Sequence, residues 1–365
     1  MSKMKILHLA KWYPNREEPL LGIFVQKHIQ SVQKYSDNKV INIYQTDSKN
    51  KNIERVVKQI NGVEEIIFYY KKGLLNKMQV LWHVWKEVKT TQAQLIHAHV
   101  MGWPSILAYF SPTPYLISEH WSGYRNRHFS KLNFITKLFI RKASKKANSI
   151  CTVSDFLKKD MLRCGIKGNY ITVENVVEGT PISVEKNKNF NFIFAGDLIQ
   201  ETKNVKGILE AFAELSKNHQ DIRLDIIGDG IDRKSYEHLA NSLGIKKQTT
   251  FHGNQSNEYV FKTLSQSHVL ILNSYFETFS VICAEALLCG LPVIYTKCGG
   301  PESFLDEKSG LFIEPGNTKQ LYRSMKTIMN TYETYQPEYL KNIAKKFSKE
   351  QIGEKIHGVY QQILN

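Results

Sequence analysis

Short apolar runs alternate with amphipathic stretches along this chain, and this alternation constrains the fold more than any other feature. In the second half, each short run of β-branched, aromatic or aliphatic residues is followed by a segment with helical periodicity. Strands that alternate with helices favour parallel, doubly wound sheets. The predicted strands are Phe190–Ala195, Arg223–Ile227, Thr249–His252, Val269–Leu272 and Pro292–Tyr295, and the predicted helices are Val205–Ser216, Arg233–Leu243, Glu258–Gln266 and Val281–Leu288.

The first half shows the same alternation less clearly. Its predicted elements are a helix over Ile23–Gln33 and strands at Lys5–Ala10, Val40–Tyr44, Leu95–His99, Tyr115–Ser118 and Ile150–Ser154. A chain of 365 residues, 42% of them hydrophobic, exceeds one core of ordinary size. We expect an α/β architecture of two Rossmann-like domains facing an interdomain cleft. The predicted bounds are residues 1–180 and 181–340, with Thr180–Asn189 as the linker and 341–365 as a helical segment packing back towards the first domain.

Two features indicate a cytoplasmic protein. The apolar runs are far shorter than a bilayer-spanning helix, and the N-terminal run is too short for a signal peptide. The five cysteines are an odd number without metal-like spacing, which favours reduced thiols.

The net charge of +15 belongs to one half of the chain. Residues 1–180 carry 28 basic and 13 acidic side chains, whereas residues 181–365 carry 21 of each. Eight Lys or Arg fall between Arg125 and Lys146, and no Asp or Glu lies between Glu119 and Asp155. This asymmetry predicts an anionic partner for the first half.

Two glycine loops follow predicted strands of the second half. The segment Phe194–Gly207 contains Gly196 and places Lys203 just before a helix, where a lysine beside helix N–H groups suits a phosphate. The segment Ile226–Gly230 contains Gly228, which permits a close approach of the backbone to a ligand. A solvated lysine and a tight turn are the simpler interpretations of each loop by itself.

The run from Asn273 to Val293 carries two glutamates on either side of a predicted helix start. Glu277 falls in a loop, Ser280 is the predicted N-cap, and Glu285 lies within the following helix. The two carboxylates can hold opposite ends of a long ligand while the helix N-terminus between them receives a diphosphate. A surface glutamate and a solvated helix glutamate are the alternative interpretations.

Taken in order, these motifs resemble the signature of the retaining family 4 glycosyltransferases (glycosyl transferases group 1), which have the GT-B fold. The resemblance rests on Glu277-x7-Glu285, on Ala286–Val293 and on Cys298-Gly-Gly300. It also includes the Gly196–Lys203 loop, Leu209–Phe212, Gly228-Asp-Gly230 and Phe251-His-Gly253, in the order and spacing of the family.

The resemblance implies a role for each donor-side residue. Glu285 is expected to bind the ribose hydroxyls of a UDP- or GDP-linked sugar, and Glu277 to face the transferred sugar. The backbone N–H groups of Phe279 and Ser280 are expected on the diphosphate, and Lys203 is expected to stabilise the charge of the leaving group. The family usually has an arginine six positions before that lysine, where this chain has Asp197.

No metal or cofactor is expected. No two aspartates stand two positions apart, so the chain lacks the Asp-x-Asp motif that holds a divalent ion on a diphosphate in the other major glycosyltransferase fold. Transfer is therefore predicted to be independent of metal.

The acceptor side offers Gly22 and two histidine sites. Trp12-Tyr-Pro14, Pro19–Val25 and His28 resemble the opening of the family. Gly22 either lets backbone N–H groups approach the transferred sugar or phosphate or is needed only for the turn. His120 is preferred over His99 because family members carry a sugar-contacting histidine at the matching place. Glu119 is a competing candidate base, although in the mechanism proposed for such enzymes the leaving phosphate accepts the proton.

The basic stretch Arg125–Lys146 is predicted to be an amphipathic helix. It either packs on the core with a solvated basic face or docks on anionic lipid, which would suit a lipid-linked acceptor. No motif for reading nucleic acid is present.

The sequence therefore predicts a hexosyltransferase of cell-surface polysaccharide synthesis. A catalytically degenerate sugar-binding protein and a nucleotide-sugar epimerase remain the alternatives.

Overall fold

The computed structural model of the chain describes residues 3–47, 52–125 and 128–365, whose contacts divide them into two units. The first unit holds the described residues up to Val176 together with Lys349–Asn365, and the second holds Val177–Ser348. The sequence-based bounds lie at 180/181 and 340/341. The segment predicted as a linker belongs to the second unit, where the N–H of Ile182 donates to Ser265 Oγ at 3.2 Å.

The first unit is an eight-stranded sheet with helices on both faces. Its elements are β1 Met4–Ala10, α1 Ile23–Ser31, β2 Ser36–Thr46, β3 Ile53–Ile60, β4 Val63–Lys71, α2 Leu74–Thr90, β5 Leu95–His99, α3 Trp103–Phe110, β6 Tyr115–Glu119, α4 Phe134–Lys146, β7 Ser149–Thr152, α5 Asp155–Arg163 and β8 Tyr170–Thr172. The strand order is β3-β4-β2-β1-β5-β6-β7-β8. All neighbours pair in parallel except the edge strand β3, which runs antiparallel to β4.

The second unit has a six-stranded, fully parallel sheet in the order β11-β10-β9-β12-β13-β14. Its elements are β9 Phe190–Ala195, α6 Gln200–Lys203, α7 Val205–Ser216, β10 Ile222–Ile227, α8 Arg233–Ser242, β11 Thr249–Gly253, α9 Asn257–Gln266, β12 Val269–Leu272, α10 Val281–Leu288, β13 Val293–Thr296, β14 Gly310–Ile313, α11 Thr318–Thr331 and α12 Pro337–Lys345. The last helix of the chain, α13 Lys349–Leu364, belongs to the first unit.

Each sheet reverses its strand order at one point. From β1 the chain adds β2 and β4 on one side and β5, β6 and β7 on the other. From β9 it adds β10 and β11 on one side and β12, β13 and β14 on the other. Open α/β sheets bind ligands beyond the carboxyl ends of the two strands at such a switch point.

The helices of the first unit cover opposite faces of its sheet. On one face, Tyr360 of α13 bonds His97 of β5 at 2.7 Å, and α1 packs against α13. Tyr115 of β6 points to the other face, where its hydroxyl donates to the carbonyl of Ala143 in α4 at 2.6 Å. Apolar side chains in both layers bury the sheet, as the sequence pattern predicts for a doubly wound fold.

The prediction of one amphipathic helix over Arg125–Lys146 is wrong in its first part. Helix α4 begins at Phe134 because the Asn133 side chain caps it by accepting the N–H of Thr136 at 2.8 Å. Before it, Phe129–Lys131 forms a short 3-10 turn, while residues 126–127 lie outside the described residues. The basic helix is therefore three to four turns long.

Candidate active site

Lys203 and Glu277 meet at the switch point of the second sheet. Lys203 ends α6, which follows β9, and Glu277 lies in the loop after the neighbouring strand β12. The Lys203 Nζ and the Glu277 Oε1 are 2.6 Å apart, and Ser274 Oγ donates to the same oxygen at 2.8 Å. Two residues that are far apart in the sequence thus form one charged pair where a doubly wound sheet binds its ligand.

The lysine is held in its charged form. Burial lowers the pKa of Lys203, but the Glu277 carboxylate, by charge and by hydrogen bonding, and then Asp197 outweigh it, so that the pKa is raised. Asp197 itself is exposed on the loop between β9 and α6. Lys203 therefore offers a permanent positive charge and cannot serve as a base at neutral pH.

Helix α10 begins beside this pair. Ser280 occupies the N-cap position with a left-handed φ of 73°, but its hydroxyl contacts Cys283 Sγ at 3.3 Å and caps no helix amide. Ser280 therefore stands at the predicted N-cap position but does not supply the capping hydrogen bond. The first turn of α10 contains no acidic residue, which leaves its positive dipole end available to an anion.

Glu277 is fixed by its backbone as well as its side chain. Its N–H donates to the carbonyl of Cys298 at 3.1 Å, and the N–H of Gly300 donates to its carbonyl at 3.0 Å. A Cβ on Gly300 would lie 2.3 Å from the backbone nitrogen of Phe279, so this close approach requires glycine. The Phe279 side chain is fully buried, and Glu285, in the body of α10, is 7% exposed.

The two glycine loops pack on each other. Gly228 has a φ of 126°, and a Cβ there would stand 2.0 Å from the carbonyl oxygen of Gly196. The Gly196 N–H donates to Ile227 at 3.0 Å, and the Gly228 N–H donates to Gly253 at 2.8 Å. The glycines thus bring the carboxyl ends of β9 and β10 together behind Lys203.

His120 lies at the carboxyl end of β6 in the first unit, and only 7% of it is exposed. Its Nδ1 is 3.0 Å from Asn175 Oδ1, while its Nε2 has no protein hydrogen-bond partner among the described residues. Burial, followed by the neighbouring His28, lowers the pKa of His120 well below its ordinary value despite the bond to Asn175. The ring is therefore neutral, and with the Nδ1 proton on Asn175 its Nε2 is an acceptor.

Glu119 has a structural role. Its fully buried carboxylate accepts the N–H of Met101 at 2.9 Å, the N–H of His120 at 2.8 Å and the N–H of Trp121 at 2.9 Å. The Tyr124 hydroxyl adds a fourth hydrogen bond at 2.6 Å. A carboxylate with four donors around it joins the loops after β5 and β6 and is poorly placed to take a proton from a substrate.

Gly22 is required by its own surroundings. It precedes α1 with a φ of 67°, and a Cβ there would lie 2.4 Å from the carbonyl of Trp12. The turn alone therefore explains this glycine, and its approach to a ligand stays a prediction.

Three buried histidines form a further polar group on β1 and β5. One ring nitrogen from each of His8, His97 and His99 lies within 4.8 Å of the other two, close enough to hold a metal ion. The same rings are hydrogen bonded to protein: His8 to Asn38 at 3.0 Å, and His97 to Ser118 and Tyr360, each at 2.7 Å. The sequence did not indicate this group, because only the parallel register of His8 with His97 brings it together.

Two supporting residues were also missed. Ser274 holds Glu277, and Asn175 orients His120 from 55 positions away in the chain. Only Ser274 gave a local signal, since it stands in the same loop as Glu277.

Comparisons with known proteins agree with this geometry. Residues 180–347 match the family model described as Glycosyl transferases group 1, and residues 39–178 match the model described as Glycosyltransferase Family 4. Two relatives align over most of the chain. An uncharacterized glycosyltransferase of Methanocaldococcus jannaschii is 24% identical over 93% of this chain and 90% of its own length. The alpha-D-kanosaminyltransferase of Streptomyces kanamyceticus is 21% identical over 80% of this chain and 83% of its own length.

Solved structures share the whole fold. A sucrose-phosphate synthase from Thermosynechococcus elongatus superposes with a TM-score of 0.79 at 15% identity, covering 99% of both chains. The lipopolysaccharide outer core galactosyltransferase WaaB superposes with a TM-score of 0.76 at 17% identity, over 98% of this chain and 99% of its own. Anabaena HepE, solved in complex with UDP, superposes with a TM-score of 0.74 at 15% identity, over 98% of this chain and 100% of its own.

The fold and the site define a glycosyltransferase of the GT-B type, with two Rossmann-like domains. The chain belongs to the family 4 glycosyltransferases. Across the part of the chain that the structure describes, no helix is both long and apolar enough to cross a membrane.

Proposed function

We propose that this chain transfers a hexose-type sugar, with retention of configuration and without a metal ion or other cofactor, from a UDP- or GDP-linked donor to a glycan or lipid-linked acceptor. The observation that carries the proposal is the Lys203–Glu277 pair at the switch point of the second sheet, beside the N-terminus of α10. A buried cation and a helix N-terminus form a site for a diphosphate, and the carboxylate between them suits a sugar.

The donor is placed by the residues around that pair. The diphosphate takes the amides of Phe279 and Ser280 together with the Lys203 ammonium. Glu285 binds the ribose hydroxyls, and Gly196 and Gly228 keep the loop backbones close behind the diphosphate. The HepE structures, with UDP alone and with UDP and glucose, support a uridine nucleotide as the first donor to test.

The protein accelerates transfer by stabilising the charge on the leaving phosphate rather than by supplying a general base. As the bond between the anomeric carbon and the leaving phosphate breaks, negative charge develops on the phosphate oxygens, and Lys203 and the α10 dipole stabilise it. The same phosphate accepts the proton of the attacking acceptor hydroxyl, so that the acceptor bonds to the face that the nucleotide leaves. Glu277 positions the sugar through its hydroxyls, while the neutral His120 stays a predicted sugar contact of the first unit.

Cell-surface polysaccharide synthesis supplies an acceptor of the required kind. Helix α4 exposes Phe134 and Ile135 among basic side chains, which suits a peripheral contact with the anionic inner face of a membrane. The relation of the fold to a lipopolysaccharide galactosyltransferase supports a lipid-linked glycan as acceptor.

Nucleotide release tests the proposal. The protein is incubated with UDP- and GDP-sugars, with and without a panel of lipid-linked and free glycans, in EDTA. We expect nucleotide release that rises with one acceptor and a product whose anomeric configuration, read by NMR, matches the donor. Release that requires a divalent ion, or an inverted product, would refute the corresponding part of the proposal.

Variants separate binding from chemistry. Glu285→Ala should weaken UDP binding, and Glu277→Ala should lower turnover more than donor affinity. Lys203→Ala should lower turnover by roughly 10²–10³-fold, the usual cost of removing one preorganised charge donor. The matched control is Lys206→Ala, an exposed lysine that pairs with Glu210 at 3.7 Å. Wild-type kinetics in the Glu277 and Glu285 variants would show that the site is misassigned.

Asp197 supports a second candidate, a sugar-binding protein without turnover. Its carboxylate stands where the family usually has a cation, and its charge acts on Lys203. Saturable UDP binding without nucleotide release by any acceptor would favour that function, whereas an interconverted nucleotide sugar would indicate an epimerase.

A further inference from the structure

The first sheet has its own switch point between β1 and β5, and Lys11 lies there. It directly follows β1, and its N–H donates to the carbonyl of His99 at the end of β5 at 3.1 Å. Its ammonium lies 3.4 Å from the carbonyl oxygen of Met101 in the loop after β5. The backbone therefore holds this lysine at the ligand-binding edge of the first unit.

Two tryptophans flank the Lys11 ammonium. The Nζ atom is 5.3 Å from the ring centroid of Trp12 and also 5.3 Å from that of Trp121. Both indoles are partly exposed, so each keeps surface for a ligand. Partly exposed aromatic faces beside a polar group are surfaces on which sugar rings stack.

The ammonium lacks an anionic partner. Burial lowers the pKa of Lys11, and the charge of Glu119 opposes this only in part. Glu119 already accepts four hydrogen bonds from other groups, and no carboxylate in the described ranges lies within 4.0 Å of Lys11 Nζ. A desolvated cation with one long hydrogen bond favours an anion supplied by a ligand.

Glycines lie directly against both tryptophan residues. A Cβ on Gly123 would lie 2.1 Å from Cε2 of the Trp121 indole, so the ring rests directly on the glycine backbone. Gly22 packs against the backbone carbonyl of Trp12 and so holds its main chain rather than its ring. The Trp121 surface is therefore held in place before any ligand arrives, which lowers the entropy cost of binding.

This cluster adjoins His120. The Phe24 ring contacts Trp12 at a centroid distance of 6.4 Å and His120 at 4.6 Å, and Trp121 directly follows His120 in the chain. The cluster therefore lies in the same part of the first unit as His120.

We propose that Trp12, Trp121 and Lys11 form an acceptor subsite for a pyranose that carries an acidic group. The indoles stack on the sugar ring, and the ammonium binds the phosphate or carboxylate attached to it. The inference rests on the proposed function, because it makes this edge of the first unit the place where an acceptor sugar waits beside His120.

Binding of four soluble probes tests the subsite on the full chain. α-D-Glucose 1-phosphate and D-glucuronate carry a ring and an acid, methyl α-D-glucoside carries only the ring, and inorganic phosphate carries only the acid. Saturation-transfer NMR is recorded with and without UDP, which excludes probe bound at the donor site. We expect at least one acidic sugar to bind roughly 10-fold more tightly than either methyl α-D-glucoside or phosphate, as a charge-assisted hydrogen bond implies.

The probes also identify the source of the acid. Preference for glucose 1-phosphate indicates a phosphate-linked acceptor, such as a lipid-linked sugar, and preference for glucuronate indicates an acidic sugar within a glycan. Equal binding of the neutral and the acidic sugars, or no binding of either, would overturn the inference.

Variants assign the binding to the cluster. Lys11→Met should reduce the affinity for acidic sugars to that for methyl α-D-glucoside, and Trp121→Ala should weaken all three sugars by roughly 10-fold. Gly123→Ala, which displaces the indole without removing it, should act in the same direction as Trp121→Ala.

The matched control is the tryptophan–lysine pair on α2, where Lys86 Nζ lies 3.6 Å from the Trp82 ring centroid. Trp82→Ala and Lys86→Met should bind every probe like wild type. Circular dichroism and UDP thermal shift confirm that each variant is folded with an intact second unit. If the protein transfers sugar from a UDP-sugar but the cluster variants bind the probes like wild type, the subsite is wrong and the proposed function stands. If no sugar is transferred but probe binding still depends on the cluster, the subsite stands and the proposed function is wrong.

Discussion

At the scale of single residues, Lys203 and Glu277 neutralise each other until a donor arrives. The pair is only partly exposed, with side-chain exposures of 20% and 14%, so water screens it poorly. Under the proposed function, a diphosphate, which carries more negative charge than the carboxylate, competes with it for the ammonium. We expect Glu277 then to be released to the sugar hydroxyls, which would couple recognition of the sugar to binding of the diphosphate.

Asp197 should weaken this site through its charge. We expect Asp197→Asn to tighten UDP binding by roughly 2- to 5-fold and Asp197→Arg by roughly 10-fold, because Asp197 lowers the positive potential at Lys203. Calorimetric Kd values at 0.05 M and 1 M NaCl check this, and the gain should shrink at the higher salt as the charge is screened. The exposed Asp221→Asn is the control, and unchanged or weaker binding in Asp197→Arg would contradict the prediction.

Lys203 and Glu277 of the proposed donor site could be singled out from the sequence, but the contact between them could not. Lys203 and Glu277 each stand in a recognisable motif, yet their ion pair joins positions 74 apart and depends on β9 pairing with β12. Asn175 carries no motif and acts on His120 only because the loops after β6 and β8 meet. Sequence patterns encode local geometry, whereas such contacts depend on sheet topology.

At the scale of elements, the glycine loops limit the backbone around the donor site. Gly228→Ala should destabilise the second unit by about 2–5 kcal/mol, because strain at positive φ adds to the clash with the Gly196 carbonyl. Gly244→Ala is the matched control: its φ is 77°, but nothing lies within 4 Å of its added Cβ. Gly244→Ala should lower the free energy of unfolding only by the backbone strain, about 1 kcal/mol.

Urea unfolding followed by circular dichroism measures the difference between the two glycine variants. An equal decrease in the free energy of unfolding in both variants would mean that the contact between the β9 and β10 loops contributes nothing to stability. A UDP thermal shift on each folded variant then shows whether the Gly228 loop also shapes the donor site.

Five strands and four helices of the second unit, β9 to β13 and α7 to α10, were predicted to within about one residue, because buried parallel strands are short, nearly continuous apolar runs. The short helix α6 and the later elements β14, α11 and α12 were not predicted. The hairpin of β3 and β4 was missed. Its turn, Asn61-Gly62, takes positive φ at both residues, which is a strong hairpin signal, but β3 is a polar edge strand without an apolar run. The apolar pattern fails for β3 because most of its side chains are exposed or only partly buried.

At the scale of the whole molecule, the charge asymmetry and the apolar tip of α4 predict binding to anionic membranes. The protein should float with vesicles that contain phosphatidylglycerol and not with phosphatidylcholine alone, and raising the salt concentration should release it. Phe134 and Ile135, 75% and 65% exposed, supply the apolar contact. The double variant Phe134→Ser/Ile135→Ser should lose most of the flotation.

The matched control for flotation is Ile231→Ser, which removes an 88% exposed apolar side chain from the second unit. It should float like wild type. Failure of the wild-type protein to float with either vesicle would refute the membrane contact while leaving glycosyl transfer untouched.

Buried histidines should make the first unit sensitive to acid. Burial lowers the pKa values of His8 and His28 from 6.5 to about 4, although each ring gains some charge stabilisation from a hydrogen bond. Below pH 6.5 these histidines become protonated in the unfolded chain, whereas burial keeps them neutral in the folded unit. Their contribution to the free energy of unfolding is therefore complete above pH 6.5 and is lost as the pH falls towards 4. At pH 5 each of these two rings should lower the free energy of unfolding by about 2 kcal/mol.

All five tryptophans of the chain lie in the first unit, so tryptophan fluorescence reports its unfolding in urea. The difference between the free energies of unfolding at pH 7.5 and pH 5 gives the stability that is lost in acid. His28→Gln retains a donor for the carbonyl of Glu174, which His28 Nε2 contacts at 2.9 Å, and should reduce that loss by about 2 kcal/mol. The exposed His238→Gln should leave it unchanged. An equal loss in wild type and His28→Gln would mean that other groups control the acid sensitivity, and the neutral state of the histidines around His120 would then need another explanation.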